Sequence, residues 1–129
     1  MLNPLGFELR KIKRRKNVSA IDLNHVDTVN RAWSNEKVAK EFLGKNVQQL
    51  HHEIVELLKS EGLEQTMSTV DIGCGNGLLL NLLKEEFQFE SLVGVEYSQS
   101  ALAIAKDLHP IAEYKLHDIA QSPLENKYD

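Results

Sequence analysis

The sequence predicts an α/β fold in which a parallel sheet carries helices on both faces. Three short runs rich in strand-forming residues lie at 69–72, 92–96 and 112–116. Helical segments at 78–86 and 98–108 separate these runs, so strand and helix alternate along the second half of the chain. Because strands joined by crossover helices run parallel with right-handed connections, this order predicts a three-layer sandwich.

The N-terminal part, residues 1–45, is predicted to be a basic arm followed by a helical cap. Residues 1–32 show no sustained period, so they are expected to form an arm that contains at most one short helix, whereas Ser34 or Asn35 can cap a helix. Trp33 comes just before that helix. We expect it to pack as a hydrophobic staple, and a place in a lid over a ligand is the alternative.

A second helix is predicted to open the main domain, residues 46–129. Asn46 can cap this helix and Gly62 can end it. Its predicted apolar stripe contains Val47, Leu50, Ile54, Leu57 and Leu58. His51 and His52 are adjacent and point about 100° apart on a helix, so they are not expected to share a metal ion.

Composition and charge narrow the class of protein. The 129 residues suffice for one domain, and 42% hydrophobic with 26% charged residues is the mix of a globular protein. A single cysteine, Cys74, excludes an intrachain disulfide and fits a reducing, cytoplasmic location. No segment approaches the roughly 20 apolar residues of a spanning helix, and the N-terminus lacks a signal-peptide core.

The charges are unevenly distributed. The net charge is -4, yet six of the seven residues from Arg10 to Lys16 are basic. The acidic remainder argues against nucleic acid as a partner. The basic run is expected to be a solvated arm, and peripheral contact with anionic membrane lipid is the alternative.

Three glycines, Gly73, Gly75 and Gly77, directly follow the first predicted strand. Parallel α/β sheets bind ligands beyond the carboxyl ends of their strands, where glycine lets a ligand lie against the backbone. The spacing G-x-G-x-G places Leu78 where a dinucleotide-binding fingerprint has its third glycine. Asp71 would repel a pyrophosphate and attract a cation. The turn therefore favours a nucleotide-like ligand with a positive tail. A nicotinamide-dependent oxidoreductase and a purely structural turn are the alternatives.

Acidic residues also follow the second and third predicted strands. Glu96 lies 21 residues beyond Gly75, where a carboxylate can accept from both ribose hydroxyls. Asp118 falls at the same edge of the sheet, where it can accept from the amine of an adenine. Taken singly, Glu96 can instead cap the next helix and Asp118 can be a solvated turn residue.

The segments VDIGCGNG, VGVEYS and HDIA together resemble the S-adenosylmethionine-dependent methyltransferases of the Rossmann-like class. The resemblance implies that Asp71 and Gly73 face the methionine part of the cofactor and that Glu96 binds the ribose. It also implies that Asp118, the Ile119 backbone and Tyr97 surround the adenine. The expected cofactor-binding residues are Asp71, Gly73, Cys74, Gly75, Gly77, Glu96, Tyr97, Asp118 and Ile119. The thiol of Cys74 is expected to be a filler between glycines.

The resemblance implies methyl transfer from S-adenosylmethionine to an oxygen or nitrogen acceptor, with no catalytic base identified and no metal. A small molecule or a glycan is the expected acceptor, because the acidic body lacks a nucleic-acid footprint. The opening LGFELRKIKRRK resembles bacterial enzymes encoded among surface-polysaccharide genes, and this resemblance implies a glycan or a lipid-linked sugar. A binding module without transfer activity and a protein methyltransferase are the alternatives. Further strands follow NKYD in this class, so we expect a sheet that is incomplete at the C-terminus, with an unpaired edge on its first strand.

Overall fold

The computed structural model describes residues 25–35, 37, 39 and 45–129, except for the side chains of Lys45 and Asn46. The elements in this part are helix α1 (Val26–Ser34), helix α2 (Lys45–Leu58), strand β1 (Ser68–Ile72), helix α3 (Leu78–Phe87), strand β2 (Ser91–Glu96), helix α4 (Gln99–Leu108) and strand β3 (Glu113–Leu116). Within the described ranges, no helix combines the length and apolar character that crossing a membrane requires.

The three strands form one parallel sheet in the order β1-β2-β3. Ile72 pairs with Val95, and Glu96 pairs with Leu116, so the carboxyl ends of all three strands meet at one edge. The predicted strands and their parallel arrangement are confirmed. With helices on both sides, the sheet has the predicted Rossmann-like architecture.

The core lies where α3 and α4 pack on β2. Leu80 is fully buried, and Leu102 is 4% exposed. Gly94, in the middle of β2, leaves room for this packing. A Cβ atom there would stand 2.8 Å from Cys74 Sγ and from Tyr114 Cδ1, and 2.9 Å from a Leu80 methyl group.

Local signals set the ends of the helices around the sheet. The Ser98 hydroxyl caps α4 by accepting a hydrogen bond from the Ala101 N–H at 3.2 Å, as its sequence position predicts. The same helix ends at Leu108, with His109 as its C-cap, and Pro110 follows directly and has no N–H to continue it.

The predicted apolar face of α2 is wrong in part. Val55 is 4% exposed and Leu58 packs against the core, whereas Leu50 and Leu57 are 54% and 69% exposed. Helix α2 packs mainly against α3, so only a narrow stripe is covered. Leu50 and Leu57 are seven residues apart, and this line of the helix points away from α3.

Helix α1 was not predicted at its observed position. It contains Trp33, which was expected to precede the first helix. The side chain of His25 caps it by accepting from the Asp27 N–H at 3.3 Å. The helix expected after Asn35 lies largely outside the described residues, although Asn35 Oδ1 does accept from the Lys37 N–H at 3.1 Å.

The described chain ends beside the first residue of β1. The Asp129 N–H donates to the carbonyl oxygen of Ser68 at 3.0 Å, and Asp129 Oδ2 accepts from the Ser68 N–H at 2.8 Å. Within the described residues, no other strand pairs with this edge of the sheet. The segment after β3 therefore returns the chain to the outer side of β1.

Candidate functional site

Backbone hydrogen bonds attach the glycine turn to the end of β2. The N–H groups of Gly73 and Cys74 donate to the carbonyl oxygen of Val95 at 2.7 and 3.1 Å. Gly75, at φ +53°, donates its N–H to Glu96 Oε2 at 3.1 Å. The turn after β1 is thus held directly against the carboxylate at the end of β2.

Glu96 is a buried carboxylate with three backbone donors. Its side chain accepts from Gly75 through Oε2, and from the N–H groups of Tyr97 and Ser98 through Oε1 at 3.0 and 2.9 Å. The donors to Oε1 both precede the first residue of α4, and the side chain that caps this helix is Ser98, so the helix-capping alternative for Glu96 is not what these bonds show. Since a carboxylate offers about four lone-pair positions, the donors among the described residues leave one position for a ligand.

Asp71 is a half-buried carboxylate at the same edge of the sheet. It pairs with Gly94 across the strands. Burial, and to a lesser degree the negative charge of Glu96, raise the pKa of Asp71 to about 6. In the part of the chain that the structure describes, no group donates a hydrogen bond to this carboxylate. Two neighbouring carboxylates, one of them without a donor, favour a bound cation.

The side chain of Cys74 points away from this edge and into the core. It is 7% exposed, and its sulfur packs over Gly94. Burial, followed by the charges of Asp71 and Glu96, raises the pKa of the Cys74 thiol to about 12. The thiol therefore stays protonated and acts as a filler, as expected, and only the Cys74 backbone belongs to the turn.

Tyr114 supports the glycine turn from below. A Cβ atom on Gly77, which has φ +79°, would stand 2.6 Å from the Tyr114 hydroxyl oxygen. That hydroxyl donates to the carbonyl oxygen of His109 at 2.7 Å, and burial raises its pKa to about 12. The role of Tyr114 was not predicted. Its inward position follows from the alternation of apolar and charged residues along the third strand.

A groove of about 560 Å³ opens at the carboxyl edge of the sheet, a size typical of small-molecule sites. Its lining consists of Ile72, Gly73, Val95, Glu96, Tyr97, His117, Asp118, Ile119, Ala120 and Gln121. Five of the predicted site residues are in this set: Gly73, Glu96, Tyr97, Asp118 and Ile119. The others, Asp71, Cys74, Gly75 and Gly77, are not among the lining residues.

One wall of the groove is the loop at residues 117–122, which is held together by hydrogen bonds between its own residues. Asp118 Oδ1 accepts from the Ala120 N–H at 2.9 Å, which is the solvated-turn arrangement weighed as an alternative. A ring nitrogen of His117 lies 2.8 Å from the carbonyl oxygen of Ser122. His117 was missed because a lone histidine at a strand end gives no distinctive signal.

Two apolar side chains also face the groove. Ile72, at the end of β1, and Ile119 are each 49% exposed. Ile119 was expected to contribute only its backbone, and Ile72 was read as part of a buried strand. A sequence does not distinguish an exposed isoleucine at a strand end from a buried one. The exposure of Ile72 becomes visible only when its position at the edge of the folded sheet is known.

Comparison with known proteins shows that the second half of the chain is similar to methyltransferases. A protein-family model described as a methyltransferase domain matches residues 69–129. Trans-aconitate 2-methyltransferases of Variovorax paradoxus and Delftia acidovorans are each 38% identical over 65 residues, which is 50% of this chain. The chain spans only about a quarter of these relatives, 25% and 24%.

Solved structures share the fold over a longer stretch. The N-methyltransferase NodS of Bradyrhizobium japonicum, in complex with S-adenosyl-L-homocysteine, superposes with a TM-score of 0.62 at 17% identity, over 80% of this chain and 52% of that chain. A SAM-dependent methyltransferase of Anabaena variabilis superposes with a TM-score of 0.51 at 27% identity, over 80% and 44%.

Proposed function

We propose that the protein binds S-adenosylmethionine and transfers its methyl group to an oxygen or nitrogen atom of a small molecule, because residues 69–129 match a methyltransferase domain and contain a parallel sheet of Rossmann-like architecture. The observation that carries the proposal is the carboxylate pair, Asp71 and Glu96, beside the bare glycine turn. A cationic nucleoside fits this pair and the groove next to it.

The electrostatics of the site fit a cation better than a phosphate. Burial is the main cause of the raised pKa of Asp71, and repulsion by the Glu96 carboxylate adds to it. The methionine end of S-adenosylmethionine carries an ammonium and a sulfonium against a single carboxylate, so its net charge is positive and would relieve that repulsion. The pyrophosphate of a nicotinamide cofactor would add negative charge at the same place.

The groove supports binding of the adenosine. The open lone-pair position of Glu96 is available to a ribose hydroxyl, since the other three are taken by N–H groups. Ile72 and Ile119 offer apolar surface to a flat ring, and the Oδ2 atom of Asp118 would accept from the adenine amine. We therefore keep all the predicted cofactor-binding residues, with Cys74 contributing its backbone only.

The chemical task of the protein is mainly to position the acceptor. When bound, the sulfonium would supply an activated methyl group: an acceptor lone pair would form the new bond to the methyl carbon while the S–C bond breaks and its electron pair stays on sulfur. The chain's own groups would hold the cofactor still through Glu96 and the glycine turn. Alignment of this kind accounts for about 7–11 kcal/mol of the barrier in well-oriented intramolecular reactions. No residue is assigned as a base.

The name of the trans-aconitate 2-methyltransferases supports a small-molecule acceptor. A glycan or a protein side chain is the other candidate.

The proposal also includes membrane contact through Arg10 to Lys16, and a division into a cap (1–45) and a cofactor domain (46–129). The run from Arg10 to Lys16 lies outside the described residues. A cytoplasmic location is also part of the proposal, because the chain's single cysteine, Cys74, leaves it without an intrachain disulfide.

Isothermal titration of the chain with S-adenosylhomocysteine and, separately, with NADH tests the proposal. We expect binding of the first alone. Binding of NADH alone would contradict the assignment of the carboxylate pair. Radiolabelled S-adenosylmethionine with trans-aconitate, and with a panel of other small acids and amines, then tests methyl transfer. Cofactor binding without any transfer across the panel would favour a binding module.

A further inference from the structure

Helix α1 is attached to the start of α4 by a set of polar contacts. Asn30 Oδ1 accepts from the Ser98 hydroxyl at 2.7 Å and from the Ser100 N–H at 3.2 Å. The Ser34 hydroxyl donates to the Ser100 hydroxyl oxygen at 3.1 Å. These bonds join segments 66 to 70 residues apart in the chain. They hold α1 in a defined position over the carboxyl edge of the sheet.

The attachment continues to the ligand carboxylate. Ser98 is fully buried, and its N–H donates to Glu96 Oε1 at 2.9 Å while its hydroxyl donates to Asn30. The same hydroxyl accepts from the Ala101 N–H, so this side chain joins α1 to the first turn of α4. Asn30, Ser98 and Glu96 thus form one network from α1 to the site.

Trp33 lies three residues after Asn30, on the same side of the helix. A Cβ atom on Gly75 would stand 3.2 Å from Trp33 Cζ2 and 3.4 Å from Cη2. The six-membered ring of the indole therefore lies against the bare α-carbon of the glycine turn. Gly75 is also the residue whose N–H donates to Glu96.

The groove lining reaches Glu96 but does not include Gly75 or Trp33. A nucleoside seated in the groove would therefore extend its tail past Glu96 and along the glycine turn, towards the indole. This step depends on the proposed function, because it takes the tail of S-adenosylmethionine as the part that leaves the groove. A cationic tail next to an aromatic ring gains a cation–π attraction.

We propose that α1 is a clamp on the cofactor site, in which Asn30 fixes the helix and Trp33 forms the wall that contacts the cationic tail of S-adenosylmethionine. The clamp gives Trp33 a binding role beyond the packing role that its sequence position suggests. It also explains why a helix with little buried surface is docked through polar side chains directly above the ligand edge.

Intrinsic fluorescence tests the clamp directly, because Trp33 is the single tryptophan of the chain. The chain is titrated with S-adenosylhomocysteine and with S-adenosylmethionine, and heat, tryptophan emission and acrylamide quenching are followed in parallel. We expect the emission to change with the same midpoint as the heat, and the quenching constant to fall at saturation. Heat of binding with unchanged emission and quenching would overturn the clamp and leave the proposed function standing. No heat with either ligand would overturn both.

Substitutions in α1 test whether Trp33 contacts the cofactor or only packs against the glycine turn. Trp33→Leu and Asn30→Leu should each weaken S-adenosylmethionine binding by about tenfold, and Trp33→Phe should restore part of the loss. Arg31→Ala, on an exposed position of the same helix, is the matched control and should stay within about twofold. Circular dichroism confirms that each variant is folded. A folded Trp33→Leu variant with unchanged affinity would contradict the proposal. If Trp33→Leu does not fold, a folded Asn30→Leu variant with unchanged affinity would contradict it as well.

Discussion

Replacing Asp71 with asparagine should make the free protein more stable and the cofactor complex weaker. The change keeps the shape of the side chain and removes its charge. Within the described residues no donor bonds to this carboxylate, so the replacement breaks no hydrogen bond there. Higher stability together with weaker cofactor binding would indicate that Asp71 serves ligand binding at the expense of the stability of the free protein.

The magnitude follows from the pKa of Asp71. The pKa rises from 3.8 to about 6 on folding, which at about 1.36 kcal/mol per unit corresponds to roughly 3 kcal/mol against the ionised form. Because the folded pKa is the higher one, this penalty is absent below pH 3.8, grows between pH 3.8 and about 6, and is complete above about 6. Asp71→Asn should therefore raise the free energy of unfolding by up to roughly 3 kcal/mol at pH 8 and by little at pH 4.

Urea denaturation at pH 4, 6 and 8 measures this difference, and Asp107→Asn, an exposed carboxylate on α4, is the matched control. Titration with S-adenosylmethionine at pH 8 should show affinity lowered by about 10- to 100-fold, since one charge facing the cation is lost. A variant that is less stable than the parent at pH 8, or that binds the cofactor equally well, would refute the reasoning.

Three further substitutions probe the site and the core. In Glu96→Gln, an amide N–H₂ group or a neutral oxygen faces the three N–H donors that the carboxylate accepts from. Calorimetry should therefore show cofactor affinity reduced by about tenfold or more. Equal affinity would contradict the assignment of Glu96 to the ribose. Gly75→Val forces a branched side chain into a left-handed position 3.2 Å from Trp33, and the same titration should show no binding, whereas retained binding would contradict the backbone cradle. Gly94→Ala places a methyl group 2.8 Å from Cys74 Sγ and should lower the urea-derived stability by about 1–3 kcal/mol; an unchanged midpoint would mean that the core adjusts freely.

Local chemistry explains why the elements of residues 68–116 agree with the prediction to within one residue. The Ser98 cap, the glycine turn and the short β-branched runs each act over a few positions, so they can be read without knowing what packs against them. The arrangement of strand, helix and strand then sets parallel strands with their carboxyl ends together. Asp71, Glu96 and Asp118 could be placed at one edge for that reason alone.

Only the tertiary structure shows where a side chain points when the residues that it packs against are distant in the sequence. Sequence periodicity assigned Leu57 to the core, but α3 covers only the neighbouring stripe of α2. The hydrogen bonds of Asn30 to α4 place Trp33 on the glycine turn, and no pattern within α1 contains that information. The sequence by itself therefore determined the order of elements and the carboxylates at the sheet edge, because these follow from short-range rules. The path of α1 and the wall formed by Trp33 depend on contacts more than 40 residues apart, which only the folded chain brings together.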